Sequence, residues 1–261
     1  MSTDAAADPT EPLEDFTARA DAWLAERYPA RDRQAEQEAT RFVWGEGSDE
    51  VRVFQEPDPE VEVDALPAIR RWRADLWEAG YGWISGPTAY GGAGLPTRYQ
   101  RAFEQLTRRY EVPGDSSLTI GLGMVAPTLL RHGSEEQKQR WLPSMYSGES
   151  FACQLFSEPG AGSDLASVST RAVRQDDGTW RLSGQKVWTS GAHLADVGEI
   201  LCRTADGPRH RNLTMFLVDM TAPGVDVRPL RQMTGGAAFN EVFLDDVVVA
   251  DADRQIGRAH V

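Results

Sequence analysis

Two hydrophobic rhythms run along this chain, and the change from one to the other divides it. Leu13, Phe16, Ala20, Trp23, Leu24 and Tyr28 recur at the spacing of one helix face, and Pro29 ends the pattern. Leu66, Ile69, Trp72, Arg73, Leu76 and Trp77 mark a second helix, stopped by Gly80. Pro96-Thr97 opens a third, Arg98 to Tyr110. Ser116 to Arg131 form the most apolar helix, with Gly121 and Gly123 inside it. Mid-helix glycines cost roughly 1 kcal/mol each against alanine, so these two point to close approach by a helix or a ligand. Ser134-Glu135-Glu136-Gln137 is a capping box; its helix runs through Trp141 and Leu142 to a break or kink at Pro143. From Phe151 the rhythm becomes two. Strands are expected at 151–157, 167–174, 179–183, 186–189, 197–203, 213–219, 225–229 and 240–244, with Gly207-Pro208, Ala222-Pro223-Gly224 and Gly235-Gly236 as punctuation.

Helices first and strands afterwards argue for segregated α+β domains rather than βαβ units. The expected order is a disordered tail over residues 1–11, an all-helical N-terminal domain over 12–150, and a small antiparallel β-barrel domain over 151–254. The charged stretch 30–64, broken by Gly45-Glu46-Gly47-Ser48 and Pro57-Asp58-Pro59, predicts at most a short helix around Gln34–Phe42 and then a long loop.

Composition narrows the partners. The formal net charge of −13 argues against nucleic acid and anionic membrane as general partners. No apolar run approaches the roughly 18–20 residues of a membrane span. The polar, acidic start differs from a signal or transit peptide, so a soluble cytoplasmic protein is expected. Cys153 and Cys202 are the only cysteines, and neither they nor the scattered histidines have metal-ligand spacing.

The candidate chemistry lies between Gln154 and Ser190. One part reads Gln154-Leu155-Phe156-Ser157-Glu158-Pro159-Gly160-Ala161-Gly162-Ser163-Asp164, the other Gly184-Gln185-Lys186-Val187-Trp188-Thr189-Ser190-Gly191. A hairpin signal, Asp176-Asp177-Gly178, separates them. Small residues admit a ligand to the backbone, hydroxyls donate and accept, and an indole offers a flat face. The set suits a planar heterocycle with a phosphate tail. It equally suits an ordinary turn followed by a strand with a core tryptophan. Tyr90-Gly91-Gly92-Ala93-Gly94-Leu95 lacks the Lys-Ser/Thr of a phosphate loop and a preceding strand, so a tight turn between helices is expected there.

These segments resemble the flavin-binding signatures of the acyl-CoA dehydrogenase family. The similarity extends in order from the Tyr90–Leu95 loop to Phe239-Asn240-Glu241-Val242-Phe243-Leu244-Asp245-Asp246-Val247. It implies a helical N-terminal domain, a β-barrel middle domain and, in the family, a C-terminal helical bundle that supplies the catalytic glutamate. No residue here is therefore expected to be the catalytic base. The cofactor implied is FAD. Ser157 would bond the pyrimidine end of the flavin, Ser190 would bond near N5, and Trp188 would flank the ring, followed by Thr189. Gln154, Leu155 and Phe156 would line the ring, though several family members have an aromatic residue where Gln154 stands. Ser163 would lie near the pyrophosphate and the CoA side of the substrate, with Gly160 and Gly162 admitting that loop.

The reaction so implied removes two hydrogens from the α and β carbons of an acyl-CoA thioester, a carboxylate taking the α proton. Electron-transfer flavoprotein or a similar acceptor, and a homo- or hetero-oligomer in the full-length form, are the implied partners. The alternatives within the resemblance are an acyl-CoA oxidase, a flavin monooxygenase of this fold, or a non-catalytic subunit of a hetero-oligomer. From Gln255 the pattern leaves the family's. Gln255 to Val261 has a back-translation that matches a common sequencing adapter, so residues 255–261 are expected to be a non-native end and the chain a fragment inactive alone.

Overall fold

The first rhythm folds as helices. A computed structural model of the chain describes residues 11–32, 59–114, 118–207, 211–233 and 236–256. The expected tail up to residue 10, the helix at Gln34–Phe42 and residues 257–261 lie outside the described residues. The chain divides into two compact units, residues 1–55 with 71–114, and residues 56–70 with 115–261.

In the first unit, α1 (Leu13–Arg27) buries Phe16, Ala20 and Leu24, the stripe its spacing predicts. α2 (Pro59–Glu78) begins before Leu66, inside the stretch read as loop, and passes through Pro67. Proline at a helix start has no N–H to leave unpaired, which makes Pro59 a sound first residue. From Arg71 onward α2 belongs to the first unit. α3 (Thr97–Thr107) buries Tyr99, Phe103 and Leu106. The core is aromatic: Phe16 meets Tyr99 edge-on at 5.2 Å, and Tyr81 stacks on Phe103 at 4.7 Å. The glycine stretch makes a tight turn, as its spacing predicts. A short helical turn at Thr88–Tyr90 passes into Gly91 at φ 85°, where a Cβ would lie 2.2 Å from the Trp77 ring.

In the second unit, the apolar helix is not a uniform α-helix. Gly121–Val125 is a π-helical turn, followed by α4 (Ala126–His132). A Cβ on Gly121 would sit 3.2 Å from the Ala152 carbonyl, so the close neighbour is a strand, while nothing lies near Gly123. α5 (Glu135–Ser147) opens on the capping box, with Gln137 N–H donating to Ser134 Oγ at 3.2 Å and Ser134 N–H to Gln137 Oε1 at 3.0 Å. It continues through Pro143 to Ser147, held by the burial of Leu142 and Met145, and ends at Gly148.

The strands are β1 (Ala152–Leu155), β2 (Arg171–Arg174), β3 (Trp180–Ser190), β4 (Val197–Arg203), β5 (Leu213–Asp219), β6 (Val225–Leu230), β7 (Phe239–Val249) and β8 (Arg254–Ile256). They form one mostly antiparallel sheet in the order β6-β7-β3-β2-β4-β5-β8, with β1 parallel on β4. This is the expected helical part followed by a mostly antiparallel strand domain; the sheet is not closed between β6 and β8 among the described residues, so barrel describes it only loosely. The short β2 joins β4 at a single parallel pair, Arg171 with Arg203. The stretches 179–183 and 186–189 are one strand, because Gly184 continues it across Thr170. A Cβ at Gly184 would lie 2.5 Å from the Thr170 hydroxyl, and the register with β7 shifts there. At the Asp176-Asp177-Gly178 turn, the Gln175 N–H donates to the Thr179 carbonyl at 2.8 Å. Leu155, Leu182, Ile200, Cys202, Phe216 and Val242 are fully buried at the centre of the sheet's core.

Removing the cap isolates one local term. Ser134→Ala is expected to lower stability by about 1 kcal/mol, read as a lower denaturant midpoint at unchanged slope. An unchanged midpoint would contradict the reading.

Candidate functional site

The two candidate segments leave β1 and run along β3, and main-chain bonds tie them together. After Leu155 the chain turns back at Pro159-Gly160, where Glu158 and Ala161 exchange N–H···O bonds of 2.9 and 3.0 Å. Val187 N–H donates to the Ser157 carbonyl at 2.9 Å, which sets Ser157 beside the segment that carries Trp188.

An ion pair lies beneath this junction. Lys186 is 0% exposed, and its Nζ donates to Glu158 Oε1 at 2.8 Å, to the Leu201 carbonyl at 2.7 Å and to the Phe156 carbonyl at 3.1 Å. Those bonds use all three donors of an ammonium group. Glu158 is equally well met. Its Oε2 accepts from Ser169 N–H at 2.6 Å and Ser169 Oγ at 2.7 Å, and Oε1 accepts from Thr170 N–H at 3.0 Å. Burial alone would push the Glu158 carboxyl up, but Lys186 and the donors of Ser169 and Thr170 overcome it and bring it down to about 2. Burial pushes the Lys186 ammonium down, and Glu158 offsets part of that. The pair joins the exit of β1, the entry to β2, and strands β3 and β4.

Above the pair, β3 is distorted. Lys186 pairs with Val242 and Thr189 with Asn240, so three steps on β3 match two on β7: a β-bulge. Trp188 sits in it at φ 60°, a conformation unusual for a bulky residue. Its side chain is 60% exposed and meets Phe239 edge-on at 6.0 Å. The alternative of a core tryptophan is thereby excluded. Thr189 is buried with no hydrogen-bond partner for its Oγ1, while its carbonyl accepts from Asn240 Nδ2 at 3.1 Å.

Gln154, Phe156, Ser157 and Ser190 are half-buried, and Gly162 and Ser163 are exposed. Leu155 is 0% exposed within the core, leaving only its main chain available to a ligand. Cβ atoms at Gly160 and Gly162 would meet nothing within 4 Å. An exposed indole face, an unpartnered buried hydroxyl and an open glycine turn fit a flat ring carrying a phosphate tail. Ser157 and Trp188 are brought together by the Val187 bond, while Gly162 and Ser163 lie beyond the turn at Pro159-Gly160.

Sequence reasoning missed several residues here. Glu158 and Lys186 lay inside the quoted segments without a role, although a lysine among buried positions of a strand signals a buried partner. Glu199 is the one charged residue of Val197-Gly198-Glu199-Ile200-Leu201-Cys202; it is 0% exposed and lies opposite Gln154 in the β1–β4 ladder. His193 approaches Asn240 Nδ2 through Nδ1 at 3.1 Å and Glu62 through Nε2 at 3.2 Å. Cys153 and Cys202 are free, and burial pushes both thiols up to about 12, which leaves them protonated rather than nucleophilic at neutral pH. No helix among the described residues is long and apolar enough to cross a membrane.

Residues 153–247 match the model of the acyl-CoA dehydrogenase middle domain, and residues 30–149 that of the acyl-CoA dehydrogenase N-terminal domain. Acyl-CoA dehydrogenase FadE34 of Mycobacterium tuberculosis is 50% identical over 192 residues, covering 73% of this chain and 26% of the relative. Acyl-CoA dehydrogenase IpdE1 of the same organism is 38% identical over 246 residues, covering 94% and 58%. Among solved structures, the Tcur3481-Tcur3483 steroid ACAD is similar at TM-score 0.66 and 28% identity, covering 95% of this chain and 58% of that one. The ChsE4-ChsE5 complex from Mycobacterium tuberculosis is similar at TM-score 0.66 and 26% identity, covering 99% and 58%. The chain thus spans little more than half the length of these relatives, and about a quarter of FadE34.

Breaking the ion pair from one side strands the other charge. Lys186→Met is expected to destabilise the chain by about 3–5 kcal/mol, and Glu158→Leu with Lys186→Met to recover much of that. Glu158 lies below its ordinary 4.5 in the fold, so its contribution is complete above that value and is lost as pH falls toward about 2. Denaturation at graded pH checks both expectations; a single variant as stable as wild type would contradict them.

Proposed function

The chain belongs to the acyl-CoA dehydrogenase family, and from that premise we propose that it binds FAD at its two joined segments and serves the α,β-dehydrogenation of an acyl-CoA thioester. The observation that carries the reading is the bulge at Trp188. An indole held 60% exposed at φ 60°, next to a buried unpartnered Thr189 hydroxyl and touching Phe239 only edge-on, suits a bound ring. In this reading Trp188 flanks the ring. Ser157 and Ser190 donate to it, with Thr189 behind them. Gln154 and Phe156, with the main chain of Leu155, line it. Gly162 and Ser163 meet the phosphates, Ser163 also on the CoA side of the substrate. Residues 151–254 are then the flavin-binding domain.

Bound flavin supplies the two-electron acceptor that side chains lack. The chain's own residues bind and orient it: β3 fixes Trp188 and Ser190, and the Lys186–Glu158 pair holds β3 against the exit of β1. We assign the catalytic base to no residue of this chain. The names of the similar solved structures support two further points. A steroid ACAD favours a bulky acyl group, and a two-chain complex favours an oligomer that includes a second, related chain. Electron-transfer flavoprotein or a similar acceptor would reoxidise the flavin.

A neutral hydrogen bond is worth roughly 0.5–1.5 kcal/mol net, so Ser157→Ala should weaken FAD binding roughly 2- to 12-fold. Trp188→Ala should weaken it at least as much through the lost ring face. Titration of each purified variant with FAD, followed by flavin fluorescence, measures this. Unchanged affinity in both variants would refute the site.

A further inference from the structure

A second set of buried polar groups stands against the strand that carries Trp188. Asn240 of β7 is the ladder partner of Thr189 and is 0% exposed. Its Nδ2 donates to the Thr189 carbonyl at 3.1 Å and stands 3.1 Å from Nδ1 of His193. His193 belongs to the short helical turn Ala192–Leu194 that follows β3. Its Nε2 is buried and lies 3.2 Å from Glu62 Oε2, off the line of a good hydrogen bond. Glu62 comes from the start of α2 and lies in the same compact unit.

These contacts fix the hydrogen of the imidazole. An amide nitrogen of asparagine has two hydrogens to donate and accepts none. Asn240 Nδ2 gives one to the Thr189 carbonyl and one to His193, so Nδ1 is an acceptor and carries no hydrogen. The ring's own hydrogen is then on Nε2, toward the Glu62 carboxylate. Turning the Asn240 amide over would set Oδ1 against the Thr189 carbonyl oxygen, acceptor against acceptor, so Thr189 settles the assignment.

The arrangement costs stability. Asn240 Oδ1 and Thr189 Oγ1 are both buried and unmet, and a buried polar set with unmet members is worse than an apolar one. Such departures from local rules belong at functional sites. What this set holds is a peptide plane. The Thr189 carbonyl and the Ser190 N–H share one planar trans unit, so the bond from Asn240 sets the direction of both. Both residues directly follow Trp188, and the pairing of Thr189 with Asn240 closes its bulge.

We propose that His193 and Asn240 are positioning residues of the ring site. The imidazole takes one amide hydrogen of Asn240, which aims the other at the Thr189 carbonyl and fixes the Thr189–Ser190 peptide behind Trp188. The inference rests on the flavin reading above, and it gives neither residue a contact with the ring.

The test uses the whole chain as wild type, H193L, H193N and N240L. H193L keeps bulk and removes the acceptor, and H193N restores an acceptor where Nδ1 stood. Imidazole nitrogen NMR of the flavin-free wild type at neutral pH should show His193 with its hydrogen on Nε2 and none on Nδ1. FAD should bind H193L and N240L roughly 2- to 12-fold more weakly than wild type, the loss of one neutral hydrogen bond. H193N should recover most of the loss seen in H193L. Without FAD, the Trp188 indole N–H and Ser190 amide signals should be displaced in H193L and return toward their wild-type positions in H193N. A hydrogen on Nδ1 of His193 overturns the inference. It is overturned equally if H193L and N240L bind FAD as wild type does, or if H193N is as weak as H193L, which would reduce the imidazole to packing. A wild-type chain that binds no FAD refutes the flavin reading instead. The flavin-free signals of Trp188 and Ser190 then decide the positioning alone, and signals unmoved in H193L overturn it.

Discussion

The site depends on one buried ion pair. Removing an ammonium and a carboxylate from water costs several kcal/mol per ion, and their attraction repays it only where every donor and acceptor is met. Lys186 and Glu158 meet that condition, because main-chain carbonyls of Phe156 and Leu201 and donors from Ser169 and Thr170 complete both shells. Those partners come from three places: Phe156 from the exit of β1, Ser169 and Thr170 from the entry to β2, and Leu201 from β4. The pair therefore fixes where β1 ends, where β2 is entered, and how β3 lies against β4. An apolar pair of equal volume could fill the space, but it would not select these carbonyls, and so would not fix the exit of β1 relative to β3.

That constraint explains how β3 can hold a strained residue. A bulky side chain at positive φ costs of order 1–3 kcal/mol and persists only where its surroundings over-determine it. Trp188 has a clamped lysine two residues before it, a Val187 bond to Ser157 beside it, and the Asn240 bond to the Thr189 carbonyl after it. The bulge between fixed points turns the indole outward instead of into the core. The turn at Pro159-Gly160 leaves open space on the opposite segment. One rigid strand thus presents the flat face and the hydroxyls together.

Much of this was legible in the residues. Period and punctuation located α1, α3, the capping box and most strands, because those signals are local: a cap needs Ser134 and Gln137 alone, and a half-buried strand shows its alternation. The merger of two expected strands into β3 was not legible, since it depends on Thr170, distant in sequence, leaving no room for a side chain at Gly184. The openness of the sheet was hidden for the same reason: closure depends on how edge strands meet, not on their patterns. The start of α2 at Pro59 was masked by a charged, proline-bearing stretch that reads as a breaker. At the site, the hydroxyls and glycines stood out, while Lys186 and Glu158 had no visible role, because the side-chain contact that pairs them joins β3 to the segment after β1 and has no local signature. Glu199 lay in plain view as a lone acid in an apolar strand, but its partner Gln154 comes from a parallel strand with no local signature.

The central claim is that the clamped segments form one face of a flavin site. Amide and indole NMR of the isotope-labelled chain during FAD titration tests it most directly. The account predicts shifts concentrated at Ser157, Gly162, Ser163, the Trp188 indole N–H, Thr189 and Ser190, with the β6 and β8 edges of the sheet unmoved. Saturating FAD that leaves those signals in place, or that moves another surface instead, would contradict it.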